Sequence, residues 1–473
     1  MDLSRKIGFT SAPLLFLSIL FFEPIAEPNM NRVIAVASWM IIWWILEVFP
    51  IYITALLPMV FFPALGILPS AETFAPYGSP IVFLFFGGFI LALALEKKDL
   101  HKRLAFVILN FTGSRPNQVI LGFMLVTAFL AMWVSNTATA IMILPIAISV
   151  LQLFEDQFKG SNSDKLKFKT VLLLSVAYSA NIGGIFTLIG TPPNIVFSGF
   201  YLIETGEEFS FISWLKFGVP IGITLLLITY FIMTRILFRI KGDEIKGFKQ
   251  LIHKEQSKLG VITKAQILVI LIFSGTVGLW VFASLLNDLM GTRIFNNTNI
   301  AVGGAILLFI TPVNLKQNEF LLSWRDTKDL PWGILLLFGG GLSLAKGLES
   351  AGVIDLIGTY IIESVNLNPT ILLLILTAFA LFATEIMSNV ALVSVLLPVV
   401  FGIAASKNID LLYLTIPVTI AASCAFMLPV STPPNAVVFS SGFIKVKEMV
   451  KAGIWLNFAA VIVIVLIIAL LFR

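Results

Sequence analysis

The chain has 473 residues, 58% hydrophobic and 12% charged, a composition too apolar for soluble domains and matched to runs of about 20 apolar residues that span a ~30 Å hydrocarbon core. The excess of 31 Lys and Arg over 26 Asp and Glu does not point to nucleic acid, because the basic residues fall in short loops between apolar runs, where they set membrane orientation. Cys424 is the single cysteine, and His101 and His253 are read as solvated loop residues, so disulfide frameworks, zinc clusters, iron–sulfur motifs and metal-hydrolase chemistry are excluded.

Arg5-Lys6 and the apolar run 7–22 mimic a secretion signal, but Glu23-Pro24 stands where small residues would mark cleavage, so residues 1–30 are expected to stay as an N-terminal helix. Residues 31–49, 51–67 and 79–96 read as three more spans. The loop after them carries Lys97, Lys98, His101, Lys102 and Arg103, which places it, with the N-terminus, on the cytoplasmic side. Residues 100–110 are a basic amphipathic stretch expected in the inner interface. Residues 117–150 are too long for one span and hold Ser135-Asn136-Thr137 near their middle. Arg115 lies upstream and Lys159, Lys165, Lys167 and Lys169 downstream, so a re-entrant hairpin turning at Ser135-Asn136 is expected, with both ends cytoplasmic. Residues 170–203 then cross outward to Glu204, Glu207 and Glu208, and 211–238 return to a basic cytoplasmic loop at 241–264.

Residues 266–287 and 298–313 go out and back to a loop with Lys316, Arg325 and Lys328, and 331–348 cross outward. Residues 349–363 hold acids and no Lys or Arg, so a second hairpin, 370–402, enters from outside and turns at Ser388-Asn389. Residues 411–443 cross inward, and 452–472 form a last span with the C-terminus outside. Phe86-Gly87-Gly88 recurs as Phe338-Gly339-Gly340, Ser135-Asn136 as Ser388-Asn389, and Gly190-Thr191-Pro192-Pro193-Asn194 as Ser431-Thr432-Pro433-Pro434-Asn435, at offsets of 252, 253 and 241 residues. The same elements in opposite orientation define an inverted-topology repeat, 31–240 against 265–473. The expected fold is an all-α polytopic membrane protein of about 11 spans, with two re-entrant hairpins and two broken transmembrane helices (170–203 and 411–443), set in the cell inner membrane.

A double proline cannot continue a helix, whereas Thr-Pro starts one well, so each copy ends one half-helix and begins another at membrane depth. Such irregular backbone is tolerated only where it lines a cavity or is buried in protein. No Lys or Arg occurs in the two hairpins or the two broken helices, so an anion there meets dipoles. Four half-helix N-termini, near Ser135, Thr191, Ser388 and Thr432, each present roughly half a positive charge, on the order of two units in all, which suits a dianion. Unpaired carbonyls before the turns, at Ala131, Gly190, Thr384 and Met387, join the Asn136 and Asn389 side chains as oxygen cages for a small monovalent cation. A lone Ser-Asn-Thr is more often an interhelical hydrogen-bonding patch and a lone Pro-Pro a kink, but both duplicated in register favour function. Glu47 and Glu385 are intramembrane acids, candidates for function or for a structural hydrogen bond. Gly87-Gly88 and Gly339-Gly340-Gly341 are read as close helix packing, since no Gly-Lys-Ser/Thr follows.

Ser135-Asn136-Thr137, Ser388-Asn389-Val390, the two Thr-Pro-Pro-Asn motifs, and Trp43-Trp44-Ile45-Leu46-Glu47 with Thr54-Ala55-Leu56-Leu57-Pro58 resemble the divalent-anion:sodium symporters, carriers of dicarboxylates, citrate or sulfate. The resemblance covers nearly the whole chain. It implies a homodimer, a scaffold domain with an elevator-like transport domain, and two or more sodium ions. It also implies a first sodium site at Ala131, Ser135, Asn136 and Gly190, a second at Thr384, Met387, Asn389 and Ser431, and substrate contacts from Asn136, Thr137, Thr191, Ser388, Asn389 and Thr432. Val390 stands where the pattern has threonine. The expected function is sodium-coupled symport of C4-dicarboxylates, with sodium-independent exchange of dicarboxylate, citrate or sulfate as the alternative. An enzyme is not expected, because the broken helices offer Ser and Thr without His, Cys or Lys beside them.

Overall fold

The computed structural model describes residues 3–157, 162–240, 243–353, 356 and 368–472. It is helical almost throughout; a two-stranded hairpin, β1 (Pro312–Asn314) with β2 (Glu319–Phe320), caps one inter-helix loop. Among the described residues eight helices are long and apolar enough to cross a membrane, and shorter apolar helices fill the remaining crossings. In chain order the first half comprises α1 (Leu3–Phe22), α2 (Pro28–Ile45), α3 (Ile51–Thr54), α4 (Leu57–Ala64), α5 (Ser70–Phe74), α6 (Pro80–Lys97), α7 (Leu100–Phe111), α8 (Pro116–Ala131), α9 (Asn136–Gln157), α10 (Asn162–Ile185), α11 (Pro192–Thr205) and α12 (Phe211–Phe231). The second half follows with α13 (Phe248–Lys258), α14 (Lys264–Met290), α15 (Asn297–Ile310), α16 (Trp332–Ser350), α17 (Pro369–Ala383), α18 (Asn389–Ser406), α19 (Leu411–Ala421), α20 (Pro433–Ser440) and α21 (Val446–Leu471).

The order of elements repeats. A span, a hairpin, a broken helix and a further span are α6, α8/α9, α10/α11 and α12 in one half, and α16, α17/α18, α19/α20 and α21 in the other. Four crossings, α10/α11, α12, α14 and α15, lie between α6 and α16 when each hairpin counts as none, so the two copies run in opposite senses, as an inverted repeat requires. Both Thr-Pro-Pro-Asn motifs open a helix with proline in its first turn, the position where a missing amide proton costs nothing.

Three sequence expectations change. Residues 51–67 are two short helices, α3 and α4, because Pro50 and Pro58 each restart the backbone. The stretch 241–264 is not wholly loop, since it contains the amphipathic α13. His101 is not solvated. It lies on the inner face of the amphipathic α7, is 3% exposed, and has Nδ1 3.2 Å from the Leu95 carbonyl, and burial pushes its imidazole below the ordinary histidine range. Residues 159, 241–242, 354–355 and 357–363, on which part of the expected loop charge falls, lie outside the described residues.

Gly87, Gly339 and Gly340 are packing positions, whereas a Cβ on Gly88 would meet only Ile189 at ordinary contact distance. A Cβ on Gly87 would collide with the Ala301 backbone of α15, and one on Gly339 or Gly340 with Tyr77 or the Ala55 carbonyl. Two groups of helices result. In one, α1 packs on α2, α6 on α15, α14 on α15, and α16 on the segment from α2 to α5; in the other, α8 packs on α10, α10 on α20, α11 on α18, α17 on α19, and α12 on α21. Between the groups, α16 lies against α11 and α18. The core of the second group is α10, which is almost wholly buried although it carries Ser175, Tyr178, Ser179 and Asn181, each at most 1% exposed. So polar a helix at the centre of a membrane protein belongs beside a polar site.

Candidate functional site

The four backbone breaks converge on one cavity of about 910 Å³. Ser135, Asn136, Thr137, Gly190, Thr191, Ser388, Asn389, Val390, Ser431 and Thr432 all line it, so both hairpin tips and both broken-helix caps face one space. Of the remaining expected residues, Ala131 and Thr384 are buried behind the tips and Met387 is half-buried; none of the three lines the cavity. The expected ligand at Ala131 could act only through backbone, where α8 meets α10 at Gly183.

Each hairpin closes in a few residues, 132–135 and 384–388, and the first broken helix opens at 186–191. The second opens over 422–432, about twice as far. The asparagine of each Thr-Pro-Pro-Asn motif closes its break in the same way. The Asn194 amide donates to the Gly184 and Thr187 carbonyls at 2.9 and 2.8 Å, and the Asn435 amide donates to the Ala425 and Leu428 carbonyls at 3.2 and 3.1 Å. Those carbonyls stand at the same spacing before the motif in both halves. An orphaned half-helix C-terminus is thereby satisfied by the residue that begins the next half-helix.

The caps leave donors for an anion. Thr432 Oγ1 accepts from Asn181 Nδ2 at 3.0 Å and from the Asn435 amide at 3.4 Å. With both lone pairs engaged, its hydroxyl proton is free to be donated into the cavity. Asn181, which the sequence reading did not single out, reaches across from the first broken helix and also donates to the Ala425 carbonyl at 3.2 Å. Its only sequence signal is a polar residue in an apolar run ten positions before Thr191, with alanine at 422, ten before Thr432.

Two oxygen clusters sit behind the tips. In the first, Asn136 Oδ1 is buried without a hydrogen-bond partner, beside Gly184 and Thr191, where a Cβ on Gly184 would touch the Asn136 amide. In the second, Thr384 Oγ1 lies 2.7 Å from both Asn389 Oδ1 and the Ala422 carbonyl oxygen. One hydroxyl has one proton, so three oxygens are crowded with a single proton between them. An orphaned buried carbonyl and a proton-poor oxygen trio both fit a small hard cation. The Ala422 carbonyl is a further oxygen that sequence spacing did not reveal. Ser431 Oγ donates to the Leu428 carbonyl at 2.6 Å and accepts from Asn435 Nδ2 at 3.5 Å.

Glu47 follows α2 at φ 45° and lines the mouth of the cavity with Arg5. Glu385 does not line it: it is 4% exposed and accepts four hydrogen bonds. Among the described residues no group of His, Cys, Asp and Glu could hold a metal ion of the catalytic kind.

Comparison with known proteins adds the following. A family model described as the sodium:sulfate symporter transmembrane region matches residues 5–473. The chain is 38% identical over 476 residues to the sodium-dependent dicarboxylate transporter SdcS of Staphylococcus saprophyticus, covering 99% of this chain and 91% of that protein. To SdcS of Staphylococcus aureus it is 39% identical over 470 residues, covering 98% and 90%. In fold it is similar to the Alcanivorax borkumensis YdaH transporter (TM-score 0.55, 11% identity, 87% of each chain) and to Neisseria gonorrhoeae MtrF (TM-score 0.56, 13% identity, 84% and 82%). At those identities the two structures share the fold alone with this chain.

Proposed function

The chain belongs to the sodium:sulfate symporter family of membrane transporters, and from that membership we propose that it is a sodium-coupled symporter of C4-dicarboxylates such as succinate, malate or fumarate. The carrying observation is the cavity in which both hairpin tips and both broken-helix caps meet, without a Lys or Arg from any of those elements. A dianion held by amide and hydroxyl dipoles alone keeps its charge. Cations bound in the two oxygen clusters next to the same tips supply the missing balance, so substrate and sodium each favour the other's binding. The staphylococcal relatives, named for sodium-dependent dicarboxylate transport, support the same cargo.

In this reading Asn136, Thr137, Thr191, Ser388, Asn389 and Thr432 contact the substrate. The first sodium binds at Ser135, Asn136 and Gly190, with the Ala131 backbone behind. The second binds at Thr384, Asn389, Met387 and Ser431, to which we add the Ala422 carbonyl. The helix group holding the tips and caps is the transport domain and the other is the scaffold, and the transport domain moves along α16 as an elevator. Arg5 lines the cavity, and with a cytoplasmic N-terminus and an outside C-terminus in the inner membrane the state proposed here is the inward-open one. A homodimer would cover part of the exposed apolar surface of α14, where Leu271, Phe282 and Leu285 are each more than half exposed.

Uptake of labelled succinate into proteoliposomes, with sodium or potassium outside and with or without internal anion, tests the proposal. Accumulation driven by sodium without internal anion is expected. Uptake that ignores sodium and requires internal anion would instead establish the exchanger.

A further inference from the structure

The two oxygen clusters are not equivalent, and the difference lies one residue away from them. Glu385 follows Thr384 in the turn of the second hairpin. Its Oε1 accepts from the Phe426 and Met427 amides at 2.8 and 2.9 Å and from Asn457 Nδ2 at 2.7 Å, and its Oε2 accepts from the Leu428 amide at 3.1 Å. Three successive backbone amides in the unwound stretch 422–432 thus form a concave nest around a carboxylate from the same chain. All four of these groups are donors, an arrangement suited to the ionised carboxylate. None of the ion pairs among the described residues includes it. The carboxylate of the residue next to Thr384 in sequence is therefore fixed in buried surroundings and holds the unwound stretch that begins at Ala422.

The first repeat makes the corresponding link without charge. Met132 occupies the position after Ala131, and its carbonyl accepts from Thr187 Oγ1 at 2.6 Å. Residues 117–150 contain no acid. We propose that Glu385 is a positioning residue that makes the Thr384–Asn389–Ala422 cluster the tighter of the two cation sites, filled before substrate arrives. The Asn136 cluster lacks a fixed charge and acquires one only with the dianion, so its cation binds weakly alone and tightly with substrate. A fixed opposite charge near a binding site shifts its equilibrium by roughly tenfold or more, which is the size of difference the proposal expects. The inference rests on the sodium coupling proposed above.

Equilibrium binding of labelled sodium to the purified full chain, with and without succinate, tests it. Two phases are expected, a tight one indifferent to succinate and a weak one that succinate tightens. Asn389→Ala should remove the tight phase and Asn136→Ala the weak one. Glu385→Gln presents an amide to backbone donors and deletes the charge, and should weaken the tight phase by about tenfold or more while sparing the weak phase. Unfolding temperature in saturating sodium separates this from a general loss of structure, and if Glu385→Gln does not fold, the two asparagine variants and the succinate dependence decide alone. A single phase, a tight phase lost in Asn136→Ala, or an unchanged tight phase in folded Glu385→Gln overturns the inference while leaving sodium coupling standing. Absence of sodium binding in the unmodified protein, under conditions where succinate binds, sinks both.

Discussion

At the residue scale, Val390 is where this chain departs from the threonine of its motif. It is 8% exposed and lines the cavity next to Asn389 and opposite Thr137 in the repeat. A hydroxyl there would offer the substrate a hydrogen bond to a charged group, worth roughly 1.5 to 3 kcal/mol, or about a decade of affinity. Val390→Thr should therefore raise apparent affinity for succinate about tenfold and leave sulfate, too short to reach both tips, nearly unchanged. A competition series of succinate, citrate, 2-oxoglutarate and sulfate reads this directly. Weaker succinate binding in the variant would mean that valine is an apolar wall for a different anion. Asn136 and Asn389 carry a sharper expectation, because each contributes the side-chain oxygen of a cluster otherwise made of backbone and hydroxyl. Asn136→Ala and Asn389→Ala should each abolish sodium-driven uptake, and retention of sodium dependence in both would refute the cation assignment.

At the element scale, the hairpins are decided by what they cannot do. Each has a turn at mid-depth with both ends on one side, and the opposite senses of α6 and α16 place those sides opposite each other. Cys424 is fully buried, so the unmodified chain gives no background for labelling by an aqueous maleimide. Lys249→Cys in the exposed face of α13 should react from the cytoplasmic side only, and Asn408→Cys, after the second hairpin, from outside only. Reaction of both from one side would dismantle the inverted repeat. The same scale explains the two Thr-Pro-Pro-Asn asparagines: each fastens the carbonyl end of one half-helix to the start of the next, keeping the break rigid.

For the whole molecule, the seam where α16 meets α11 and α18 is made of small or apolar side chains, while at the start of α12 the Asn297 side chain of α15 bonds the Phe209 carbonyl and the Phe211 amide. Gly199 packs against Leu342, and a small cleft between the groups is lined by Ile195, Val196, Leu342 and Ser394. A face without interlocking charges can slide. Paired cysteines at Val196 and Leu342, joined by a short bifunctional reagent, should arrest succinate uptake while leaving sodium binding intact, and the single cysteines should not. Uninterrupted transport after complete cross-linking would rule out motion of the tips relative to α16.

Membrane class, the duplicated hairpins and breaks, and the polar residues that the tips and caps turn toward the cavity were legible in the linear chain. Hydrocarbon thickness, basic loops and double prolines act locally or through simple counting, and leave their mark at fixed places in the sequence. Ser135-Asn136-Thr137 and Thr191 are legible for that reason, because a helix broken at membrane depth must line a cavity or be buried in protein, and duplication in register favours the cavity. Asn181 reaching Thr432, the Ala422 carbonyl joining Thr384 and Asn389, the burial of His101 and the nest around Glu385 were not legible. Each depends on groups far apart in the chain, or on a backbone atom whose residue name is silent. Alanine at 422 carries no signal of a cation ligand, and an acid in a membrane span reads alike whether it faces substrate or three amides. Only packing assigns the partners, since a buried polar group takes the donor or acceptor that the neighbouring helix presents.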